Sequence, residues 1–144
     1  MKSPFSHPVQ AAVVVARRAG KLIAERRWPT DLELKESIEF GTSSVAAADK
    51  LAEAWIIKEL SRFVPRSYFL GEESAKKLEL STLLAAQHAF IIDPRDGTTE
   101  DSHELSFWCV SIGVLKCGSF IGGVVFAPEG RGGLLTASEK GVGD

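Results

Sequence analysis

The chain is poor in cysteine: Cys109 and Cys117 are the only two, beside a single methionine and a single tyrosine. Two cysteines cannot build a disulfide framework, and without a second pair they cannot complete a thiolate zinc site, so both read as buried thiols. Long hydrophobic runs are missing as well. No uninterrupted apolar stretch approaches the roughly 18 residues of a membrane span, and the segment from Val9 to Ile23 carries Arg17, Arg18 and Lys21. No membrane partner is expected, and the protein reads as cytoplasmic. An excess of positive charge is the third absence. Seventeen Lys and Arg against 19 Asp and Glu leave a net charge of −2 and a pI near 5.9. Such a chain has no basic field for a phosphate backbone, so a nucleic acid polymer is not the expected partner and a small molecule is. What is present, 144 residues with 44% hydrophobic and 25% charged, suits one globular domain over residues 1–144.

The front of the chain is helical. After Pro8, suited to a first helical position, Val9, Ala12, Val13, Ala16, Ala19 and Ile23 recur at helical spacing, and Pro29 after Trp28 predicts the stop. The other face of this helix is basic. Beyond a polar linker with Gly41, Ser43-Ser44 offers an N-cap to a second helix with the stripe Ala48, Leu51, Ala52, Trp55, Ile56, Leu60 and Phe63, closed by Pro65.

The back is rich in strands. Two short apolar runs, Tyr68-Phe69-Leu70 and Ala89-Phe90-Ile91-Ile92, each stop at acids: Gly71-Glu72-Glu73 and Asp93-Pro94-Arg95-Asp96. From Phe107 the alternation of Trp108, Val110, Ile112 and Val114 predicts a strand, with a turn from Lys116 to Ser119, a return strand from Phe120 to Phe126, and a last short strand from Leu134 to Thr136. This order predicts an α+β fold in which two N-terminal helices pack on a mixed, largely antiparallel sheet.

Carboxylates at the ends of two neighbouring strands converge on one edge of a sheet, where loops meet water. Glu72, Asp93 and Asp96, with backbone carbonyls, form a plausible partial cage for magnesium, a hard cation that takes oxygen ligands. Each stretch alone also has a purely structural explanation, an Asx-turn around Pro94 and a helix cap at Glu72-Glu73. Gly97-Thr98-Thr99 adds a glycine that lets backbone N–H groups approach an anion, and a hydroxyl able to orient water.

Gly71-Glu72-Glu73-Ser74, followed by Ile92-Asp93-Pro94-Arg95-Asp96-Gly97-Thr98-Thr99, resembles the inositol monophosphatase family of magnesium-dependent, lithium-sensitive phosphatases. The fixed positions of the second motif would recur by chance at on the order of one start in a million. Cys109-Val110-Ser111-Ile112-Gly113 continues the match at the family's spacing. The resemblance implies a layered α/β sandwich of the sugar-phosphatase type and hydrolysis of a small phosphomonoester by metal-activated water. It implies Mg2+ held by Glu72, Asp93, Asp96 and the carbonyl of Arg95. Thr98, Asp49 and Glu72 become the catalytic group, and Gly97, Thr98 and Arg95 the phosphate contacts, Gly97 and Thr98 through their N–H groups.

The sequence departs from that pattern in places. Ala46 stands for a usual threonine, Arg95 for an apolar residue, and Glu100-Asp101 for Asn-Phe. Glu104 adds a third acid nearby, while His103 and Lys35 are weaker candidates for contacts around the site. The family's second-half motif, Trp-Asp-x-Ala-Ala-Gly, is missing, so the chain resembles the N-terminal, metal-bearing half and is truncated relative to the family. The expected partners are therefore a small phosphorylated metabolite, and either a second copy of the chain or a missing C-terminal half. The alternative expectation is a catalytically incompetent fragment or partner-dependent subunit, or a relative acting on 3′(2′),5′-bisphosphate nucleotides or histidinol phosphate.

Overall fold

The computed structural model describes residues 3–25, 44–75, 80–97, 108–128 and 132–142. Thr98, Glu100, Asp101, His103, Glu104, Lys35 and the expected helix stop at Pro29 lie outside them.

Helix α1 (His7–Glu25) buries Val9, Ala12, Ala16 and Ala19 of the stripe read from sequence, with Val13 and Ile23 only half-buried and Val15, outside that stripe, buried instead, while Arg17, Arg18 and Lys21 stay exposed. Helix α2 (Ser44–Phe63) buries Ala52, Trp55, Ile56 and Leu60. Phe63, expected on that stripe, is instead exposed, and Val64 just beyond the helix turns inward. The last helical residue no longer follows the stripe, because the chain leaves helical geometry before Pro65.

The five strands are β1 (Tyr68–Gly71), β2 (His88–Asp96), β3 (Cys109–Lys116), β4 (Ser119–Ala127) and β5 (Leu134–Glu139), and they lie side by side in chain order. β1 and β2 are parallel and the other pairs antiparallel, so the sheet is mixed as expected. A parallel pair needs a crossover, and here it runs through the short helix α3 (Leu80–Ala85), which the sequence pattern did not reveal. Val110, Ile112 and Val114 alternate into the core with Phe90, Ile92, Val124 and Phe126, against the apolar stripes of α1 and α2. On the opposite face Leu83 of α3 packs with Ala89 and Leu115.

Two strand bounds change, and the turn expected from Lys116 to Ser119 is found. β2 runs on to Asp96 rather than stopping at Ile92, because a register shift between Asp93 and Asp96 lets the chain carry Pro94 without losing its place in the ladder. β5 extends to Glu139, paired along its length with β4. The turn between β3 and β4 is a tight two-residue reversal with positive φ at Cys117 (48°) and Gly118 (77°), the primed geometry that hairpins favour. That position exposes Cys117, and Cys109 is only half-buried, so neither is the fully buried thiol expected.

Close approach of α1 to the sheet depends on its small residues. A Cβ built on Gly20 would overlap the ring of Phe126. Gly20→Val is therefore expected to cost about 2 kcal/mol by overpacking. Adding Phe126→Leu should recover part of that loss, and equal urea-denaturation stabilities for single and double variants would contradict this packing.

Candidate functional site

The parallel register pairs Gly71 with Ile92, so the next residues, Glu72 just past β1 and Asp93 within β2, lie side by side where that pairing ends. The Glu72 N–H donates to the carbonyl of Ile92 at 3.1 Å, holding the two chain ends side by side. Asp93 also has a structural role, since its Oδ1 accepts the N–H of Arg95 at 3.1 Å, an Asx-turn over the buried Pro94. The same carboxylate faces the site, so the structural and chemical explanations hold at once.

Helix α2 brings two more acids to this edge. Asp49 is buried, and its Oδ1 lies 2.8 Å from Nε of Arg95 in an ion pair. Arg95 thus engages the site through an ion pair with Asp49, a contact not among the roles the sequence suggested for it, a carbonyl on the metal and a contact to phosphate. Glu53, one turn further along, is 2% exposed. Its two oxygens accept the N–H groups of Glu73 and Ser74 at 2.7 and 2.9 Å.

Asp49, Glu72, Glu73, Asp93, Arg95 and Asp96 line an open cavity of about 260 Å³, completed by Pro94 and Gly97. A larger hollow of about 530 Å³ beside Arg66 and Tyr68 contains no carboxylate. The acidic cavity is electrostatically crowded. The hydrogen bond shared with Asp93, and next the charge of Asp93, push the Glu72 carboxyl up to about 6 from 4.5. Burial raises Asp49, against the lowering effect of Arg95 and with Glu73 and Asp93 adding to the rise.

Five acids around one arginine give hard oxygen donors with negative charge in excess, which suits a divalent cation such as magnesium. No three Asp, Glu, His or Cys side chains among the described residues are placed as they stand to hold a metal ion. Glu72 and Asp93 crowd each other enough to raise the Glu72 carboxyl, and a cation beside them would offset that repulsion. The donors are of the type the ion takes, carboxylate oxygens, and Glu72 and Asp96 are exposed side chains that can turn toward it.

The structure thus brings Asp49, Glu72, Asp93, Arg95, Asp96 and Gly97 to one cavity, while Thr98 lies beyond the described residues. Glu53 is the residue that sequence reasoning missed. Its signal was present: four residues after Asp49 and three before Ile56, it is an acid on the apolar face of α2.

Two helices over a mixed sheet whose strands end in acids make an α+β fold of the sugar-phosphatase type. The family model of the inositol monophosphatase family matches residues 6–143, and the chain belongs to that family. Human inositol monophosphatase 1 is 33% identical over 145 residues, 99% of this chain and 50% of that protein. The inositol-1-monophosphatase of Rhizobium meliloti is 35% identical over 124 residues, 86% of this chain and 44% of its own length. The crystal structure of extragenic suppressor protein suhB from Bartonella henselae, 30% identical, superposes with a TM-score of 0.67 over 96% of this chain and 51% of that one. The chain spans about half the length of the curated relatives it matches.

The raised Glu72 carboxyl sets a pH dependence. An acid held above its ordinary value favours the fold fully below about 4.5, and that contribution is lost as pH rises through about 6. Without metal, melting temperature should fall slightly across this window. Added magnesium should raise it more at pH 7.5 than at pH 5, where protons compete for the same oxygens. Thermal melts at the two pH values read this directly, and an equal magnesium shift at both would count against the pair as a cation site. Separately, Arg95→Leu leaves Asp49 buried without its cation. It should cost about 2 kcal/mol at pH 8 and less at pH 5, where Asp49 can take a proton, as urea unfolding at both pH values would read.

Proposed function

We propose that the chain is the N-terminal, metal- and phosphate-binding half of a magnesium-dependent phosphomonoesterase acting on a small phosphorylated metabolite, with inositol 1-phosphate the first substrate to test. The observation that carries this is the single cavity lined by Asp49, Glu72, Asp93 and Asp96 in a member of the inositol monophosphatase family.

The chemistry that a bound magnesium supplies is a lowered pKa for water and neutralisation of phosphoryl charge. Glu72, Asp93 and Asp96, with the Arg95 carbonyl, would hold it. Gly97, at φ 98°, is the turn residue just after β2, where its N–H would be offered to a phosphate oxygen. Thr98, next in the chain, would orient the attacking water through its hydroxyl. Asp49 and Arg95 neutralise each other at the cavity wall, so the arginine cancels one of the acids that would otherwise repel an anionic substrate. Attack in line with the ester oxygen forms the new P–O bond as the bond to the alcohol breaks, and the alcohol leaves with a proton.

A second reading has its own observation. The chain spans about half its relatives' length, and Phe120 (62% exposed), Val125 and Leu134 (69%) present apolar surface on β4 and β5. A partner-dependent subunit or catalytically incompetent fragment would bind the cation and turn nothing over alone. A bisphosphate nucleotidase or histidinol-phosphatase relative would hydrolyse a different ester at the same cavity.

Phosphate release from inositol 1-phosphate by the purified chain is expected to require magnesium and to fall on the order of a hundredfold in Asp93→Asn. Magnesium binding without turnover, on this ester or on nucleotide and histidinol phosphates, would favour the partner-dependent subunit. Absence of magnesium binding would sink both.

A further inference from the structure

We propose that Glu53 is a positioning residue: its buried carboxylate fixes the turn that carries Glu72, and so sets where Glu72 presents its oxygens to a cation. Glu53 can act this way only if Glu72 holds a cation, as proposed above.

Glu53 lies on the buried face of α2 beside Ala52 and Ile56, where a carboxylate without partners is costly. Its partners are two consecutive backbone donors, one for each oxygen, from Glu73 and Ser74. Those residues belong to a single helix-like turn closed by the Ala75 N–H on the carbonyl of Gly71, at 3.0 Å. The first N–H groups of such a turn have no partner within it. Glu53 supplies that partner from another element, as an N-capping side chain would from within one, and a charged acceptor makes the stronger bond.

Gly71 shows that this contact is built into the sequence on both sides. A Cβ at that position would overlap the Glu53 carboxylate, so the glycine is what lets the carboxylate lie against the turn. Glu72 is then tethered twice. Its own N–H is bound to Ile92 of β2, and the residues after it are bound to α2, while its side chain remains exposed at the cavity. With the backbone fixed on both sides, only side-chain torsions are left to order when a cation binds, which is how supporting groups raise metal affinity.

The test separates placement from packing. Glu53→Gln keeps the shape but turns one acceptor into a donor facing an N–H. It is expected to weaken magnesium binding on the order of tenfold, read by calorimetric titration of magnesium into the 144-residue chain. Glu53→Ala should lose at least as much affinity and also lower the melting temperature. Glu53→Ala combined with Gly71→Ala returns a methyl to the vacated space, and should regain part of the melting temperature without regaining magnesium affinity. Recovery of both, or unchanged affinity in folded Glu53→Gln, would overturn the positioning role. So would failure of all three variants to fold, which would assign Glu53 to stability alone. A wild-type chain that binds no magnesium defeats the metal-dependent reading and this role with it, whereas a binding wild type beside an equally binding Glu53→Gln defeats only the role.

Discussion

The parallel pairing of β1 with β2 is the constraint on which the site depends. Register in a sheet is all-or-none: a slip of one residue turns every side chain to the other face. With Phe69 beside Phe90 and Gly71 beside Ile92, Phe90 and Ile92 are buried against the helices, and Glu72 and Asp93 are delivered to the same edge. The hydrophobic core thus sets the position of the acids. The rings of Phe69 and Phe90, stacked with centroids 5.7 Å apart, add a side-chain contact to that register on the helix-facing side.

Gathering acids at one edge has a cost that the fold offsets in different ways for different residues. Asp49 is matched by the guanidinium of Arg95, and Glu53 by two backbone donors. Asp93 accepts the Arg95 N–H with one oxygen, and its closeness to Glu72 raises the Glu72 carboxyl. Asp96 and Glu72 remain exposed to water. The deepest acids are thus satisfied by the chain itself, and the exposed ones carry the unbalanced charge. A cation from solvent would meet Glu72, Asp93 and Asp96 before it met Asp49 or Glu53.

The sequence made visible whatever obeyed a simple period. The apolar face of α1, the alternation of Val110, Ile112 and Val114 in β3 and the acids after β1 are local patterns that the structure keeps, whereas Asp93 and Asp96, expected beyond a strand, lie within β2. Features that depend on distant neighbours were not visible. Helix α3 has six residues, too short for a periodic stripe, and its Leu83 is held by Ala89 and Leu115 across the sheet. Cys117 looks like a core residue by type but occupies a turn whose geometry follows from the strands on either side. Arg95 pairs with a residue 46 positions earlier, a contact no spacing rule could supply. Glu53 lies between these cases: its place on the apolar face was readable, and its partners on the Glu73-Ser74 backbone were not.

Helix α2 ties these observations together. Asp49 and Glu53 are one turn apart on the same helix face, and they reach different segments: Asp49 the end of β2 through Arg95, Glu53 the turn after β1 through its backbone. Trp55, Ile56 and Leu60 fix that helix in the core. Rotation of α2 about its axis would therefore displace both polar contacts at once and expose the apolar stripe. The core resists such a rotation by its full burial energy, not by the strength of two hydrogen-bonded acids. Coupling polar groups to a packed helix in this way places the acids more firmly than loops alone would. It also bears on how a chain of about half its relatives' length still draws Asp49, Glu72, Asp93 and Asp96 around one cavity: the elements that carry them, α2, β1 with the turn after it, and β2, lie between residues 44 and 96, and β3 holds β2 in place through Ser111 and Cys109.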